Sequence, residues 1–281
     1  MSDGAVMIRL WGTRGSVASP GPETVRYGGN TACVEVRADD AILVLDAGTG
    51  IRRLGVALRD HVGRVDLLLS HLHMDHLQGI GFFAPIFRPD VELHIWGPPS
   101  TTESLRERLM RYLSPPLFPV RLRDLGSRVA LHDVPPEPFT VGSLTISGRS
   151  IVHPGPSVGY RITGPGGVLA YLPDHEPALG APSFPISPSW TSGHVLAADA
   201  DVLIHDLQYT EAEYPAHVGW GHSSLEQAWA FAVQARTKRL VTFHHDPNHA
   251  DDQLDAMVRE LQQRAGPEVI GGVEGLELRL G

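Results

Sequence analysis

The chain has 281 residues, 42% of them hydrophobic and 20% charged, which suits a soluble globular protein with a large buried core. Its formal net charge of −9 argues against broad, non-specific binding to polyanions, which needs a basic surface, yet admits a small anionic substrate held by metal ions. The single cysteine, Cys33, excludes a disulfide framework and a cysteine-based zinc finger, so a metal site must be built from His and Asp. No early apolar stretch follows a basic start and no run reaches membrane-spanning length. The expectation is one domain over residues 1–281, cytoplasmic and without a membrane partner.

In chain order, residues 7–12 alternate as a first strand, 12–16 form a Gly-bounded turn, and 20–30 are a Pro- and Gly-rich loop. Residues 31–36 and 42–45 read as paired strands. They end in Asp46-Ala47-Gly48, before helical spacing over 51–58. Asp46 fits either a helix N-cap or a hydrogen-bond partner for a metal-bound His. The apolar run 65–69 is a buried strand that delivers Ser70-His71-Leu72-His73-Met74-Asp75-His76 to its end. A short helix is expected over 77–87 and a strand over 91–96, in which His94 is read as an ordinary, satisfied histidine.

Thr101 or Thr102 can cap a helix running to about residue 113. From there the chain is Pro-interrupted, and Arg106, Arg108, Arg111, Arg121, Arg123 and Arg128 make 106–128 its most basic part. That run is either a solvated face or a contact for a substrate phosphate or a partner. Strands over 144–152 and 168–172 end in His153-Pro154 and Pro173-Asp174, with another strand over 158–162 between them. Residues 177–193 look like a covering loop or lid. A buried strand over 201–204 ends in His205-Asp206, and Gly221-His222-Ser223-Ser224 precedes a helix over 225–236, with Ser224 and Gln227 as a capping box. The strand 240–243 delivers His244-His245, a helix covers about 252–264, and 274–280 closes the chain as an edge-like strand. The strand runs suggest two sheets meeting at one site in an α/β or α+β layered fold.

Three imidazoles and a carboxylate within six positions are hard to explain as packing, because a buried neutral His needs polar partners and Asp is rarely buried unpaired. Collected from the strand ends, His71, His73, Asp75, His76, His153, Asp174 and His244 suit two borderline divalent ions. The bland alternative for the first four is a His-rich surface turn.

With its HxHxDH signature intact as His71-Leu72-His73-Met74-Asp75-His76, the chain closely resembles the metallo-β-lactamase superfamily over nearly its whole length. The resemblance implies a four-layer αββα sandwich with metals at one edge. It implies that His71, His73 and His153 hold one ion and Asp75, His76 and His244 the other, with Asp174 bridging. His244 is preferred to His245 because it follows the strand directly. Two divalent ions are expected, zinc first, with manganese or iron as alternatives.

The likeness is strongest to phosphodiesterases of the RNase Z and phosphoribosyl cyclic phosphodiesterase kinds. In that comparison His222 is a catalytic histidine supported by Asp206, and Asp75 belongs to the catalytic machinery as well as to the ligand set. For His222 the plain alternative is a helix-start residue without chemistry. The implied function is hydrolysis of a small cyclic or nucleotide phosphodiester by a hydroxide held between the ions. RNase Z-like cleavage of RNA, hydrolysis of esters or thioesters, and a non-catalytic carrier role are the alternatives. Extended nucleic acid is the less favoured partner, and a homodimer is an admissible assembly.

Overall fold

The computed structural model describes residues 5–39, 41–181 and 183–280. Residues 1–4, Asp40 and 281 of the expected domain, and Pro182 of the expected lid, lie outside them. Six strands come from the first half of the chain: β1 (Val6–Gly12), β2 (Cys33–Ala38), β3 (Ala41–Leu45), β4 (Gly63–Leu68), β5 (Val91–Gly97) and β6 (Arg128–Asp133). The next seven are β7 (Phe139–Val141), β8 (Leu144–Ser150), β9 (Val158–Gly164), β10 (Gly167–Leu172), β11 (Val202–Asp206), β12 (Arg239–Phe243) and β13 (Glu268–Gly271). β14 (Glu277–Leu280) then returns to the first sheet. The orders are β14-β1-β2-β3-β4-β5-β6 and β13-β12-β11-β10-β9-β8-β7.

The two sheets share a plan. Antiparallel pairings through β1, β2 and β3 give way to parallel ones across β3, β4, β5 and β6. The second sheet is antiparallel through β7, β8, β9 and β10, then parallel through β11, β12 and β13. Crevices beyond the carboxyl ends of parallel strands are where α/β folds place ligands. Both sheets turn those ends toward one rim.

Three apolar cores fill the spaces between four layers. Between the sheets lie Ile8, Leu10, Leu45, Ile146, Tyr160, Tyr171 and Phe243, all fully buried. The outer face of the first sheet packs on α1 (Ile51–Ala57) and α3 (Leu105–Met110) through Ile51, Leu54, Leu105 and Leu109. Leu254, Met257, Val258 and Leu261 line one stripe of α6 (Asp251–Gln262) at helical spacing. They meet the second sheet beside α4 (His194–Ala197) and α5 (Leu225–Gln234). This is the αββα sandwich.

Tyr160 and Tyr171 cross the central core with satisfied hydroxyls, donating to Leu69 O at 2.7 Å and to Asp46 Oδ2 at 2.8 Å. Arg14 is fully buried; it donates to the carbonyls of Gly28, Asp246 and His249 and so joins the first loop to the second half of the chain.

Local expectations fail where tertiary contacts override them. The expected helix over 77–87 breaks into α2 (Met74–Leu77) and two single 3-10 turns, Ile80–Phe82 and Ala84–Phe87. The backbone of Gly79 packs so closely on Gly48 that a Cβ would lie 2.1 Å from its carbonyl oxygen, and Pro85 removes a further donor. α3 is capped by Ser104, not by Thr101 or Thr102: Ser104 and Glu107 form a reciprocal capping box, and the helix ends at Met110. At α5, Ser224 Oγ accepts the Gln227 backbone N–H as expected. The described part of the loop 177–193 packs on the outer face of the second sheet. Gln234 of α5 donates to the carbonyl of Pro185, and Ile186 and Trp190 face solvent.

Candidate metal centre

β4 runs into Ser70, and the chain then bends into α2, so His71 and His73 precede the turn while Asp75 and His76 ride on its first residues. β8 leads to His153, β10 to Asp174, β11 ends at Asp206, and β12 delivers His244 in a left-handed conformation, φ 56°. His71, His73 and His153 form one cluster, and Asp75, His76, Asp174 and His244 another, with potential ligand atoms within 4.8 Å of one another in each. Asp174 stands between them: Oδ1 is 3.0 Å from His76 Nε2, and Oδ2 is 3.2 Å from His244 Nε2, 3.7 Å from His71 Nε2 and 3.8 Å from His153 Nε2. His73 is solvent-exposed and the other six are buried. His245 turns away, its Nε2 3.0 Å from Gly272 O and its ring edge-on to Tyr27, so His244 is the member of the adjacent pair that joins the cluster.

The histidines are oriented from outside. His76 Nδ1 meets Asp46 Oδ2 at 2.8 Å, His244 Nδ1 meets Gln208 Oε1 at 2.9 Å, and His153 Nδ1 meets Gly221 O at 2.9 Å. His71 Nδ1 lies 3.0 Å from Ser70 Oγ, whose own proton goes to Asp46 Oδ2. Each outer partner accepts, so each Nδ1 carries the proton and each Nε2 presents a lone pair inward. Two inward nitrogens, His76 Nε2 and His244 Nε2, are 3.3 Å apart, while His71 Nε2 and Asp174 Oδ1 are buried without a hydrogen-bond partner. Lone pairs and carboxylates converging on one volume without donors fit divalent cations.

Electrostatics agree. Burial disfavours ionised Asp75 and Asp174, but the surrounding histidines more than offset it and hold both carboxyls well below the usual range. Burial likewise opposes charge on His76, yet Asp174, Asp75 and Asp46 raise its pKa well above that of ordinary histidine, so a proton and a cation compete for the same Nε2 lone pair. Burial dominates at His71 and at His153, which falls to about 4, keeping both neutral as ligands must be.

His222 sits beside both clusters, stacked on His244 at 4.9 Å between ring centroids. Asp206 Oδ2 accepts from its Nδ1 at 2.6 Å, while Oδ1 takes the backbone N–H groups of Gln208 and Ser223. Burial alone would lower the His222 pKa, but Asp206 outweighs it and pushes the value up to about 9.

The turn carrying His222 is pinned by a residue the sequence did not single out. Glu176, fully buried, accepts from Tyr214 Oη at 2.7 Å, Gly219 N at 3.0 Å and Gly221 N at 2.9 Å. Gly221 has φ 86°, and a Cβ there would meet His153 Nδ1 at 2.4 Å, so only glycine suits the position. Ser16 N, donating to Asp75 Oδ2 at 2.7 Å, and Gln208 were also missed; a single amide or backbone group in a loop carries no pattern. Asp46 binds Ser70 N, Ser70 Oγ, His76 and Tyr171, and α1 has no side-chain cap, which decides between its two readings.

Two seven-stranded sheets face to face, a buried His and Asp cluster at their rim and the relatives below together mark a metal-dependent hydrolase. The chain belongs to the metallo-β-lactamase superfamily: residues 42–245 match the family model described as a beta-lactamase superfamily domain. It is 27% identical over 278 aligned residues to a Ribonuclease Z of Mycolicibacterium gilvum, covering 89% of this chain and 87% of that one. Among solved structures it is similar to the metallo-β-lactamase fold protein YhfI of Bacillus subtilis, with TM-score 0.72, 19% identity and 98% and 99% of the two chains covered. It is also similar to a diphosphatase of the PhnP family, with TM-score 0.69, 18% identity and 98% and 97% covered. Divalent metal is the cofactor class this family implies. Among the described residues no helix is long and apolar enough to cross a membrane.

Proposed function

We propose that the chain is a dinuclear phosphodiesterase acting on a small cyclic or nucleotide phosphodiester, and that residues 1–281 work as one cytoplasmic domain. In this reading His71, His73 and His153 hold one ion, Asp75, His76 and His244 the other, and Asp174 lies between them. Zinc suits this nitrogen-rich set best, with manganese or iron as alternatives. When bound, the ions polarise a phosphoryl oxygen and lower the pKa of water at the site.

The observation that carries the choice of phosphodiester is the His222–Asp206 pair beside the two clusters. Asp206 takes the Nδ1 proton, so the proton available to substrate is the one on Nε2. Asp206 favours the charged, imidazolium form of His222 against the effect of burial. It is equipped to protonate a departing alkoxide or to offset charge building on phosphorus, work generally worth about 10²–10⁴-fold. Asp46, Ser70, Gln208 and Gly221 O hold their histidines in one tautomer, so the site is set before substrate arrives.

A cavity of about 280 Å³ adjoins the rim at His71 and His73, where the organic part of a small substrate can lie. RNase Z-like cleavage of RNA is the second reading, favoured by the Ribonuclease Z relative and opposed by the net charge of −9. Metal analysis and turnover of bis-para-nitrophenyl phosphate, cyclic nucleotides, precursor transfer RNA and thioesters test the proposal. Two metals per chain with preference for a small diester are expected. Preference for the RNA or the thioester overturns the substrate class, and two metals with no hydrolysis favour a carrier.

A further inference from the structure

Of the six arginines in segment 106–128, only Arg108 and Arg111 line the cavity beside His73. Its other walls are Leu72, Met74 and Leu77 after β4, Tyr112 and Leu117 from the segment after α3, and the Pro154-Gly155-Pro156 turn after His153. Tyr112 Oη is already spent on Gln78 O at 2.6 Å, so the residue offers its ring to a ligand and not its hydroxyl. Leu117 is 68% exposed and Met74 49% exposed, an apolar rim left open at the mouth of a candidate active site.

The donors are equally distinctive. Arg108 Nη2 bonds Pro98 O at 2.8 Å, while its Nε is buried without a partner. Arg111 reaches Glu103 from an exposed position. Arg108 Nη2 also lies 3.6 Å from Asp133 Oδ1, so the donor without an acceptor is Arg108 Nε; an acyl chain would leave it so, and a sugar would leave the apolar walls unused. A flat ring with acceptors on its edge satisfies both: guanidinium pairs with the N7 and O6 edge of guanine, and a ring stacks on aromatic or aliphatic side chains.

We propose that the cavity bounded by Leu72, Met74, Arg108, Arg111, Tyr112 and Leu117 is a nucleobase subsite, placing a purine beside the centre that takes its phosphate. This rests on the phosphodiesterase reading for the phosphate end only. A cavity of about 280 Å³ accommodates a base, and either a free nucleotide or the terminal residue of an RNA supplies that chemistry.

The test is calorimetric titration of the zinc-loaded full chain with guanosine 5′-monophosphate and with ribose 5-phosphate, which share the ribose phosphate and differ in the base. Guanosine monophosphate binding about tenfold or more tighter is expected, the scale of losing one stacked base. Leu117→Ser and Arg111→Ala, both at exposed positions that leave the cores intact, each bring the ratio of the two dissociation constants down toward one. Equal binding of the two ligands by the unmodified protein, or a ratio that survives both substitutions, overturns the subsite. Because titration reads binding and not turnover, a protein that hydrolyses no diester yet keeps the ratio loses the phosphodiesterase reading and retains the subsite. A trinucleotide binding more than tenfold tighter than the mononucleotide identifies an RNA end as the source, and equal binding identifies a free nucleotide.

Discussion

The two sheets contribute to the rim in opposite ways. The first gathers His71, His73, Asp75 and His76 within six residues around one bend, oriented largely by a single carboxylate, Asp46. The second spreads His153, Asp174, His222 and His244 over four loops, the three histidines each with its own support, Gly221 O, Asp206 and Gln208, and Glu176 lies beneath the His222 turn. A compact cluster depends on one local fold, whereas a distributed one depends on the whole second sheet holding its strand ends in register.

Asp174→Ala, which removes the group between the clusters, is the largest expected break. Diester turnover should fall on the order of 10³-fold or more, since metal stabilisation is worth several kcal/mol of barrier, and elemental analysis should show metal lost. Full turnover with bound metal intact would contradict the central place given to Asp174. Next comes His222→Ala, for which about 10²–10⁴-fold lower kcat is expected with metal content unchanged; a co-ordinate loss of metal would make His222 a ligand instead of an acid.

The orienting groups sharpen the comparison directly. Asp46→Asn and Glu176→Gln should each weaken metal affinity by about 10–100-fold in chelator competition, the usual effect of groups that position ligands. On the proposed assignment, Asp46→Asn should affect the ion at His76 more, and Glu176→Gln the ion at His153. Identical effects on both ions would mean that the halves do not act separately.

The smallest effect concerns stability. His205 is fully buried, donates from Nδ1 to Asp206 O and stacks on Phe231, and burial lowers its pKa to about 4. Its folded value lies below the unfolded value of about 6.5, so the unfolded chain binds the extra proton between pH 6.5 and 4. Stability falls through that window as pH drops, by about 1.4 kcal/mol per pH unit for this one group, and levels off below it. Urea unfolding of His205→Asn across the same window should show a slope shallower by one proton; parallel slopes would remove His205 from the acid response.

The same contrast explains what the sequence revealed. The 71–76 run was legible because its residues are neighbours in the chain as well as in space. His153, Asp174 and His244 were legible as polar residues terminating apolar strands, a pattern that parallel strands impose when their carboxyl ends share a crevice. The sandwich followed from strand runs and the superfamily resemblance. The break of helix 77–87 was not legible, because a close backbone approach between Gly79 and Gly48, 31 positions apart, leaves no local mark. Glu176 and Gln208 escaped for a related reason: one reads as a loop acid and the other as a loop amide until the turns they bind are in place. The arginine segment was noticed as a block, but its geometry divides it, with Arg108 and Arg111 at the cavity and Arg121 and Arg123 not among its walls.

β1 pairs with β14 in the register Val6↔Leu280 to Arg9↔Glu277, so β1 finds its outer neighbour only when residue 280 has been synthesised. Until then β1 is an open edge carrying apolar residues, able to pair with another nascent chain. Such a distant pairing raises contact order and slows completion of the first sheet, even though its inner strands are local partners. Deleting 277–280 would therefore be felt first as aggregation during folding, before any change in the chemistry at the rim.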